Sequence, residues 1–203
     1  MKNMLLIFYL IMIFIFNIVL ASPSIELQNR LNKINSFYAS FIQTVTTIDG
    51  ILVQRNIGDI WVQRPNLFHC HIHLPDESIF ISDGITLWFY TPLVEQVSAI
   101  WLDKCVENTP LMLIMRNDIN TWSQYHIDQT NDSFYLTPNN QLNNLKAFSI
   151  SISPIGIISN LITVNQDGLR NIYIFSNHKY TITNINKFQF SIPSGVMVDD
   201  QRQ

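Results

Sequence analysis

The sequence predicts a mainly β (α+β) fold, in which ten or more short antiparallel strands form a strongly curved sheet or barrel and two or three short helices cover it. Three observations support this class. Apolar and polar residues alternate with a period of two in many short segments, as in half-buried strands. Two-residue turn signals such as Asp49-Gly50, Asp83-Gly84 and Asp167-Gly168 separate these segments. Helical patterns are confined to short segments near Ser22 and Thr109.

The first 21 residues have the pattern of a secretory signal peptide. Lys2 is followed by an apolar run from Met4 to Leu20, and Ala21 is a small residue at the expected cleavage point. An uncleaved N-terminal anchor is the alternative, because the run is slightly long for a signal peptide. Cleavage after Ala21 would leave Ser22 first, and serine has no thiol to carry the diacylglycerol of a bacterial lipoprotein.

Residues 22–203 are predicted to form a single domain, since they contain no Pro/Gly/Ser linker, low-complexity tract or fixed-period repeat. The net charge is −3, or −4 without Lys2, and like charges do not cluster in runs. This balance argues against nucleic acid or an anionic membrane surface as a partner. Hydrophobic residues make up 47% of the chain against 13% charged residues, which suggests more apolar surface than one sheet face requires.

The first predicted element after the signal peptide is a short amphipathic helix. Ser22 suits its N-cap, Pro23 its first position, and Leu27, Leu31 and Ile34 form a one-sided apolar stripe. The period then changes to two, with Phe37, Ala39 and Phe41 on one face of a strand. Further strands are predicted at Leu52–Asn56, Gly58–Val62, Leu67–Leu74, Ile79–Ser82, Thr86–Tyr90 and Val94–Trp101.

A second short helix is predicted from Thr109-Pro110 through Met115. Its residues Leu111 to Met115 are apolar on all sides, which is typical of a buried core helix but also suits an adaptable cover. Later strands are predicted at Tyr125–Gln129, Phe134–Thr137, Lys146–Ser153, Ile157–Val164, Asn171–Phe175, Tyr180–Thr183 and Phe188–Ile192.

The sequence contains one cluster that resembles a metal site, the histidines of the strand Leu67–Leu74, which are His69, His71 and His73. His69 and His73 would be about 13 Å apart on the strand, so both could not reach one zinc ion. The opposite face of the strand, which includes Phe68 and Cys70, is wholly apolar and is predicted to face the core. The histidines are therefore predicted to lie outward on a solvated face, without a metal.

Catalysis has no support in the sequence. It contains no nucleophile elbow, phosphate-binding loop, CxxC pair or zinc-protease motif. The acidic neighbours Asp76-Glu77 and Asp199-Asp200 fit solvated loop charges. Cys70 and Cys105 are the two cysteines, and both a disulfide and two buried thiols remain open.

Three stretches together resemble one known family. They are WVQRPNLFHCHIHLPDESIFISDGITLWFY at Trp61–Tyr90, NTPLMLIMRN at Asn108–Asn117 and VDDQ at Val198–Gln201. They are similar to the periplasmic outer-membrane lipoprotein carrier proteins (LolA family). The resemblance is strong from Leu31 to Asn117, whereas Thr130 to Lys187 matches mainly in its strand pattern. Cys70 stands where an aromatic residue would be expected in this family.

The resemblance implies an unclosed antiparallel β-barrel with a lid of short α-helices over a hydrophobic cavity for acyl chains. It implies a monomeric, non-enzymatic periplasmic chaperone without cofactor or metal. Its partners would be lipoproteins, an inner-membrane ABC exporter that supplies the energy, and an outer-membrane receptor. Alternatives are a lipid-binding envelope sensor or regulator of the same fold, and a zinc-binding or hydrolytic periplasmic protein.

The resemblance also assigns roles to single residues. Arg64, in the R-P-N-L-F motif, would latch the lid by hydrogen bonds to the backbone of the helices. Without the family, it is equally a structural arginine that satisfies loop carbonyls. The residues predicted to bind acyl chains are Leu31, Phe37, Trp61, Phe68, Cys70, Phe80, Phe89, Leu93, Leu111 and Ile114.

Overall fold

The computed structural model describes residues 22–106, 114–115, 122–140, 144–180 and 184–202, and for residues 105 and 106 the backbone alone. Two helices are described with their bounds, α1 (Pro23–Leu31) and α2 (Leu102–Val106), and 3-10 turns lie at Pro92–Val94 and Ile185–Phe188. The strands are β1 (Ser36–Thr46), β2 (Leu52–Gln63), β3 (Leu67–Leu74), β4 (Ser78–Asp83), β5 (Thr86–Thr91), β6 (Gln96–Trp101), β7 (Tyr125–Thr130), β8 (Ser133–Pro138), β9 (Leu145–Ile152), β10 (Ile158–Asn165), β11 (Arg170–Lys179) and β12 (Met197–Asp200).

Within the described residues, the strands form one sheet in the order β12-β6-β5-β4-β3-β2-β1-β11-β10-β9-β8-β7. Neighbouring strands from β6 to β7 along this order run antiparallel, whereas β12 pairs in parallel with β6. Strands β12 and β7 are at the two edges and do not pair with each other. The predicted mainly β fold with an unclosed antiparallel barrel is confirmed.

One face of this sheet, here called the inner face, carries the main hydrophobic core. Side chains on alternate positions of β1 and β2, such as Phe37, Phe41 and Ile60, are buried together with Phe148 and Ile150 from β9. Leu27 and Leu31 of α1 are fully buried in the same cluster. The helix therefore covers the inner face, and the period-two alternation of the strands determines which side chains point toward it.

Helix α1 begins and packs as its sequence predicts. The Ser22 hydroxyl accepts a hydrogen bond from the Ile25 amide (3.4 Å), Pro23 occupies the first turn, and Glu26 lies near the positive end of the helix dipole. A helix of nine residues is marginal by itself in water. Its stability must therefore come from burying its apolar stripe against the sheet.

Strand β2 is continuous through Gly58, where the sequence predicted two separate strands. A Cβ atom at this position would lie 2.3 Å from the His71 carbonyl oxygen and 2.9 Å from the Phe41 ring. Glycine thus allows the Phe41 ring to lie directly over the strand. The predicted start of a second strand is thus a close-packing position inside one strand.

The chain after β11 also differs from the sequence prediction. The strand predicted at Phe188–Ile192 is wrong, because a 3-10 turn ends at Phe188 and the next residues pair with no strand. The strand predicted at Tyr180–Thr183 lies largely outside the described residues, and Tyr180 follows the end of β11. Helix α2 was not predicted.

The C-terminal segment instead crosses the other face of the sheet, here called the outer face. Its 3-10 turn lies against β3 and β4, and Phe188 is fully buried. The Phe190 ring stacks on Trp88 with 5.5 Å between ring centroids, and β12 then pairs with β6. The apolar side chains of this segment therefore cover the outer face. No helix in the described part of the chain is long and apolar enough to cross a membrane.

Candidate functional site

The apolar part of the inner face on β1 to β5 brings together most of the residues predicted to bind acyl chains. Phe37, Val62 and Phe68 are buried and in register across three strands. One row further, Cys70 pairs with Phe80, whose ring stacks on Phe89 at 4.4 Å. The predicted residues on this side of the sheet or in the core above it are Leu31, Phe37, Phe68, Cys70, Phe80, Phe89 and Ile114.

Two predicted residues do not belong to this surface. Trp61 lies on the outer face, where its ring is 5.2 Å from Tyr38 and 5.1 Å from His69, and the Lys187 ammonium is 4.2 Å from its centroid. It alternates with the buried Ile60 and Val62, so the prediction that it lines the cavity is wrong. Leu93 is 76% exposed in a 3-10 turn outside the buried cluster, and its acyl-binding role stays a prediction. Leu111 lies outside the described residues.

Cys70 is a free thiol on the inner face and packs against the core. Burial raises its pKa to about 12, so the thiol stays protonated at physiological pH. A protonated buried thiol behaves as a small hydrophobic side chain. In this place a cysteine leaves more room than an aromatic residue would.

Arg64 connects the sheet to the helices above it. Its Nη1 donates to the Leu31 carbonyl (2.7 Å) and to the Ile34 carbonyl (3.4 Å), at the C-terminal end of α1. Its Nη2 donates to the Ile114 carbonyl, and Ile114 is helical. One guanidinium thus bridges two segments that are 80 residues apart in the chain.

Burial affects the charge of Arg64 without removing it. Desolvation lowers the pKa of its guanidinium to about 10, since taking a cation out of water disfavours the charged form. The group therefore remains protonated at neutral pH. The Leu31 and Ile34 carbonyls lie at the C-terminal end of α1, where the helix dipole favours a cation.

Arg30 makes a second attachment of α1, and the sequence analysis did not find it. Its Nη1 donates to Asp132 (2.6 Å) and to the Ile152 carbonyl (2.7 Å), and its Nε donates to Glu26 (2.7 Å). The guanidinium also lies 5.2 Å from the centroid of the Phe134 ring. A basic residue in the last turn of a helix usually faces solvent, so the sequence carried no signal for this contact, which depends on residues more than 100 positions away.

We expect Arg30→Gln to lower the free energy of unfolding by about 1.5 to 3 kcal/mol, because it removes charge-assisted hydrogen bonds from a nearly buried side chain. Lys33→Gln is the matched control, since the Lys33 ammonium donates to the Pro154 carbonyl (2.7 Å) at an exposed position. We expect it to change stability by less than about 0.5 kcal/mol. Urea denaturation of both variants measures the difference, and equal effects would show that Arg30 contributes no more than a surface cation.

The three histidines of β3 lie on the outer face, as predicted. His71 Nε2 is 2.7 Å from Glu77, and His73 Nε2 is 2.8 Å from Asp59. His69 is not solvated as expected: its Nδ1 lies 2.9 Å from the Lys187 carbonyl beneath the C-terminal segment, and burial lowers its pKa. Within the described residues, no three His, Cys, Asp or Glu side chains are grouped so that they could hold a metal ion.

Comparison with known proteins identifies what this arrangement resembles. Residues 32–191 match the family model described as outer membrane lipoprotein carrier protein LolA. An outer-membrane lipoprotein carrier protein of Edwardsiella ictaluri is 53% identical over 185 residues, which is 91% of each chain. The protein of the same name from Yersinia pestis bv. Antiqua is 51% identical over 183 residues, 90% of this chain and 91% of its own.

Solved structures share the fold at much lower sequence identity. An uncharacterized conserved protein from Thermus thermophilus superposes with a TM-score of 0.56 at 11% identity, covering 89% of this chain and 100% of its own. A LolA superfamily protein from Nitrosomonas europaea superposes with a TM-score of 0.50 at 12% identity, covering 84% and 99%. At such identities these two likenesses support the fold alone.

Proposed function

Because this chain belongs to the outer membrane lipoprotein carrier protein (LolA) family, we propose that its inner face binds the acyl chains of lipoproteins while it carries them across the periplasm. Carriers of this family are chaperones for lipoproteins, and the same role applies to this chain. The proposed acyl-binding residues are Leu31, Phe37, Phe68, Cys70, Phe80, Phe89 and Ile114.

The observation that carries this function is the combination of a large apolar inner face with helical segments above it that Arg64 joins to the sheet. Each methylene of an acyl chain gains about 0.8 kcal/mol when it leaves water. A chain in transit through an aqueous compartment therefore needs an apolar site. Because Arg64 contacts Leu31, Ile34 and Ile114 through only a few hydrogen bonds, these contacts can break when acyl chains enter.

Loading and release require partners that supply energy and direction. We propose an ATP-driven exporter of the inner membrane as the donor and an outer-membrane receptor as the acceptor. The chain itself has no nucleotide-binding motif, which supports an external energy source. The carrier acts without catalysis in this proposal, since acyl chains are transferred and no bond is broken.

The proposal includes a location and a domain organisation. Residues 1–21 direct the chain to the periplasm and are removed, and residues 22–203 act as one monomeric domain. The pattern Lys2, Met4–Leu20 and Ala21 supports the signal peptide. A single core cluster that includes residues from Leu27 to Phe175 supports one domain.

Native mass spectrometry of the protein purified from the periplasm tests the function. We expect a fraction of the molecules to carry a lipoprotein, and the apo fraction to begin at Ser22. Incubation with receptor-containing outer membranes should transfer this cargo. Stoichiometric zinc in place of acylated cargo would contradict the carrier function and favour the zinc-binding alternative.

A further inference from the structure

A layer of polar side chains crosses the inner face at the end farther from Arg64. It consists of Asn56 on β2, Gln43 on β1, and Tyr173 and Asn171 on β11, and is called the polar layer below. Gln43 is in register with Asn56 on one side and with Tyr173 on the other. These residues therefore share the face that carries Phe41 and the core.

The polar layer is a connected hydrogen-bond network. Asn56 Nδ2 donates to Gln43 Oε1 (2.7 Å), and Gln43 Nε2 donates to the Tyr173 hydroxyl (2.8 Å) and to Asn171 Oδ1 (3.2 Å). The exposed Gln54 donates to Asn56 Oδ1 (3.0 Å). Asn56 is only 5% exposed, so the network begins at the surface and continues into the interior.

Every side-chain oxygen of the polar layer accepts a hydrogen bond, whereas two of its donor groups have no acceptor within it. The side-chain oxygens of Gln43, Asn56, Asn171 and Tyr173 each accept a hydrogen bond. Among the described residues, by contrast, the Tyr173 hydroxyl proton and the Asn171 amide group have no acceptor. A ligand placed against this layer would therefore meet hydrogen-bond donors, and its matching groups would be carbonyl oxygens.

The polar layer lies directly beside apolar surface. The Tyr173 ring is 6.2 Å from Phe41 and stacks at 6.4 Å on Phe175, and both phenylalanines belong to the core. Tyr173 itself packs against that core. On the other side, the strands continue to the β1–β2 turn, and Leu52 and Val53 at the start of β2 are exposed. Apolar chains lying along the inner face would thus have one end at the polar layer.

We propose that the polar layer is a subsite for the ester and amide carbonyl groups that join acyl chains to the rest of a lipoprotein, with the Tyr173 hydroxyl and the Asn171 amide as donors. This inference rests on the proposed carrier function and extends it from the acyl chains to their polar linkage. The linkage must leave the apolar face where the polypeptide emerges into water. The polar layer thereby defines the end of the inner face at which the cargo's polypeptide emerges.

The state of Tyr173 supports a donor role. Burial raises the pKa of its phenol to about 12, and the nearby Cys70 contributes in the same direction. The hydroxyl therefore keeps its proton throughout the physiological pH range. A ligand carbonyl beside this hydroxyl would accept its proton in a hydrogen bond.

The test compares two ligands and three variants. The ligands are a synthetic triacylated cysteinyl lipopeptide, which contains ester and amide carbonyls, and diphenylhexatriene, a hydrocarbon probe without any carbonyl. Tyr173→Phe removes one donor and keeps the ring that contacts Phe41 and Phe175. Asn171→Asp replaces the donor amide by an acceptor of the same shape. Tyr135→Phe, at a half-exposed position on the outer face, is the matched control.

We expect Tyr173→Phe and Asn171→Asp to weaken lipopeptide binding by about three- to tenfold each, as the loss of a hydrogen bond to a ligand predicts. Binding of diphenylhexatriene should stay unchanged, and Tyr135→Phe should resemble the parent protein with both ligands. Thermal unfolding of the ligand-free variants checks that the fold is intact.

The outcomes separate this inference from the function on which it rests. If the parent protein binds the lipopeptide but both variants bind it equally well, the subsite is wrong and the carrier function stands. If both variants lose the two ligands to the same extent, the polar layer is structural and the subsite is again wrong. If the parent protein fails to bind the lipopeptide, the carrier function itself is overturned.

Discussion

Arg64→Leu is expected to trap the carrier with its cargo, so that lipoprotein is loaded but delivered poorly. The substitution removes all donors to the Leu31, Ile34 and Ile114 carbonyls, while leucine keeps an apolar side chain at this position. These bonds are present in the structure described here, and in the proposed loaded state, with the helices displaced, they would already be absent. The variant therefore destabilises the closed state alone and shifts the population toward the open form.

The expected shift is large. A hydrogen bond to a charged group contributes about 1.5 to 3 kcal/mol, so loss of even one changes the closed-to-open ratio by roughly ten- to a hundredfold. In cells, the variant should accumulate in the periplasm as a complex with lipoprotein. Transfer of that complex to receptor-containing membranes should be slower by a similar factor.

Two further variants make the Arg64 result interpretable. Arg55→Leu removes an exposed arginine from β2 and should load and deliver normally. Arg64→Lys keeps a cation but loses the planar fork that reaches two segments at once, so delivery should be intermediate. If Arg64→Leu unfolds, or delivers cargo at the parent rate, the residue is an ordinary structural arginine and the latch is excluded.

The second large effect is expected from Phe68→Glu, which should abolish loading. Phe68 is 6% exposed on the inner face, in register with Val62 and Ser82. A carboxylate there would be buried among apolar groups without a cationic partner, and the acyl chains would meet a charge. The variant should therefore remain free of lipoprotein when it is co-expressed with the exporter. Pull-down of the variant followed by detection of bound lipoprotein measures this.

Ile174→Glu is the matched control for the added charge. Ile174 is 53% exposed on β11 and alternates with the inner-face residues Tyr173 and Phe175, so it points to the outer face. We expect this variant to load like the parent protein. Normal loading of Phe68→Glu would remove Phe68 from the acyl site, whereas unfolding detected by circular dichroism would assign it a role in stability.

Features that depend on neighbours in the chain could be predicted from the sequence. The period of two placed Phe68 and Cys70 on one face of β3 and the histidines on the other. Ser22 and Pro23 marked the start of α1, and Asp83-Gly84 marked the turn between β4 and β5, where Asp83 accepts hydrogen bonds from the Ile85 and Thr86 amides. These signals are local, because turns, caps and alternation each involve only a few consecutive residues.

The errors occurred where a local pattern is compatible with more than one environment. Alternating Phe188, Phe190 and Ile192 suggested a strand, yet the segment uses its aromatic rings to cover the outer face and pairs with no strand. The family resemblance placed Trp61 among the acyl-binding residues, but strand parity puts it on the outer face beside His69. The sequence does not show that the outer face is apolar and covered, because the covering segment is distant in the chain.

The sequence by itself therefore determined the fold class, the inner face of β3, the first helix and the family resemblance that drew attention to Arg64. The tertiary structure alone decided what each polar group contacts. Arg30 reaches Asp132 and the Ile152 carbonyl, and Gln43 reaches Tyr173, across separations of more than 100 residues. A polar group can be buried at low cost only when it has a hydrogen-bond partner. In an open sheet, the order of the strands determines which residue is that partner, and no local sequence pattern encodes this order.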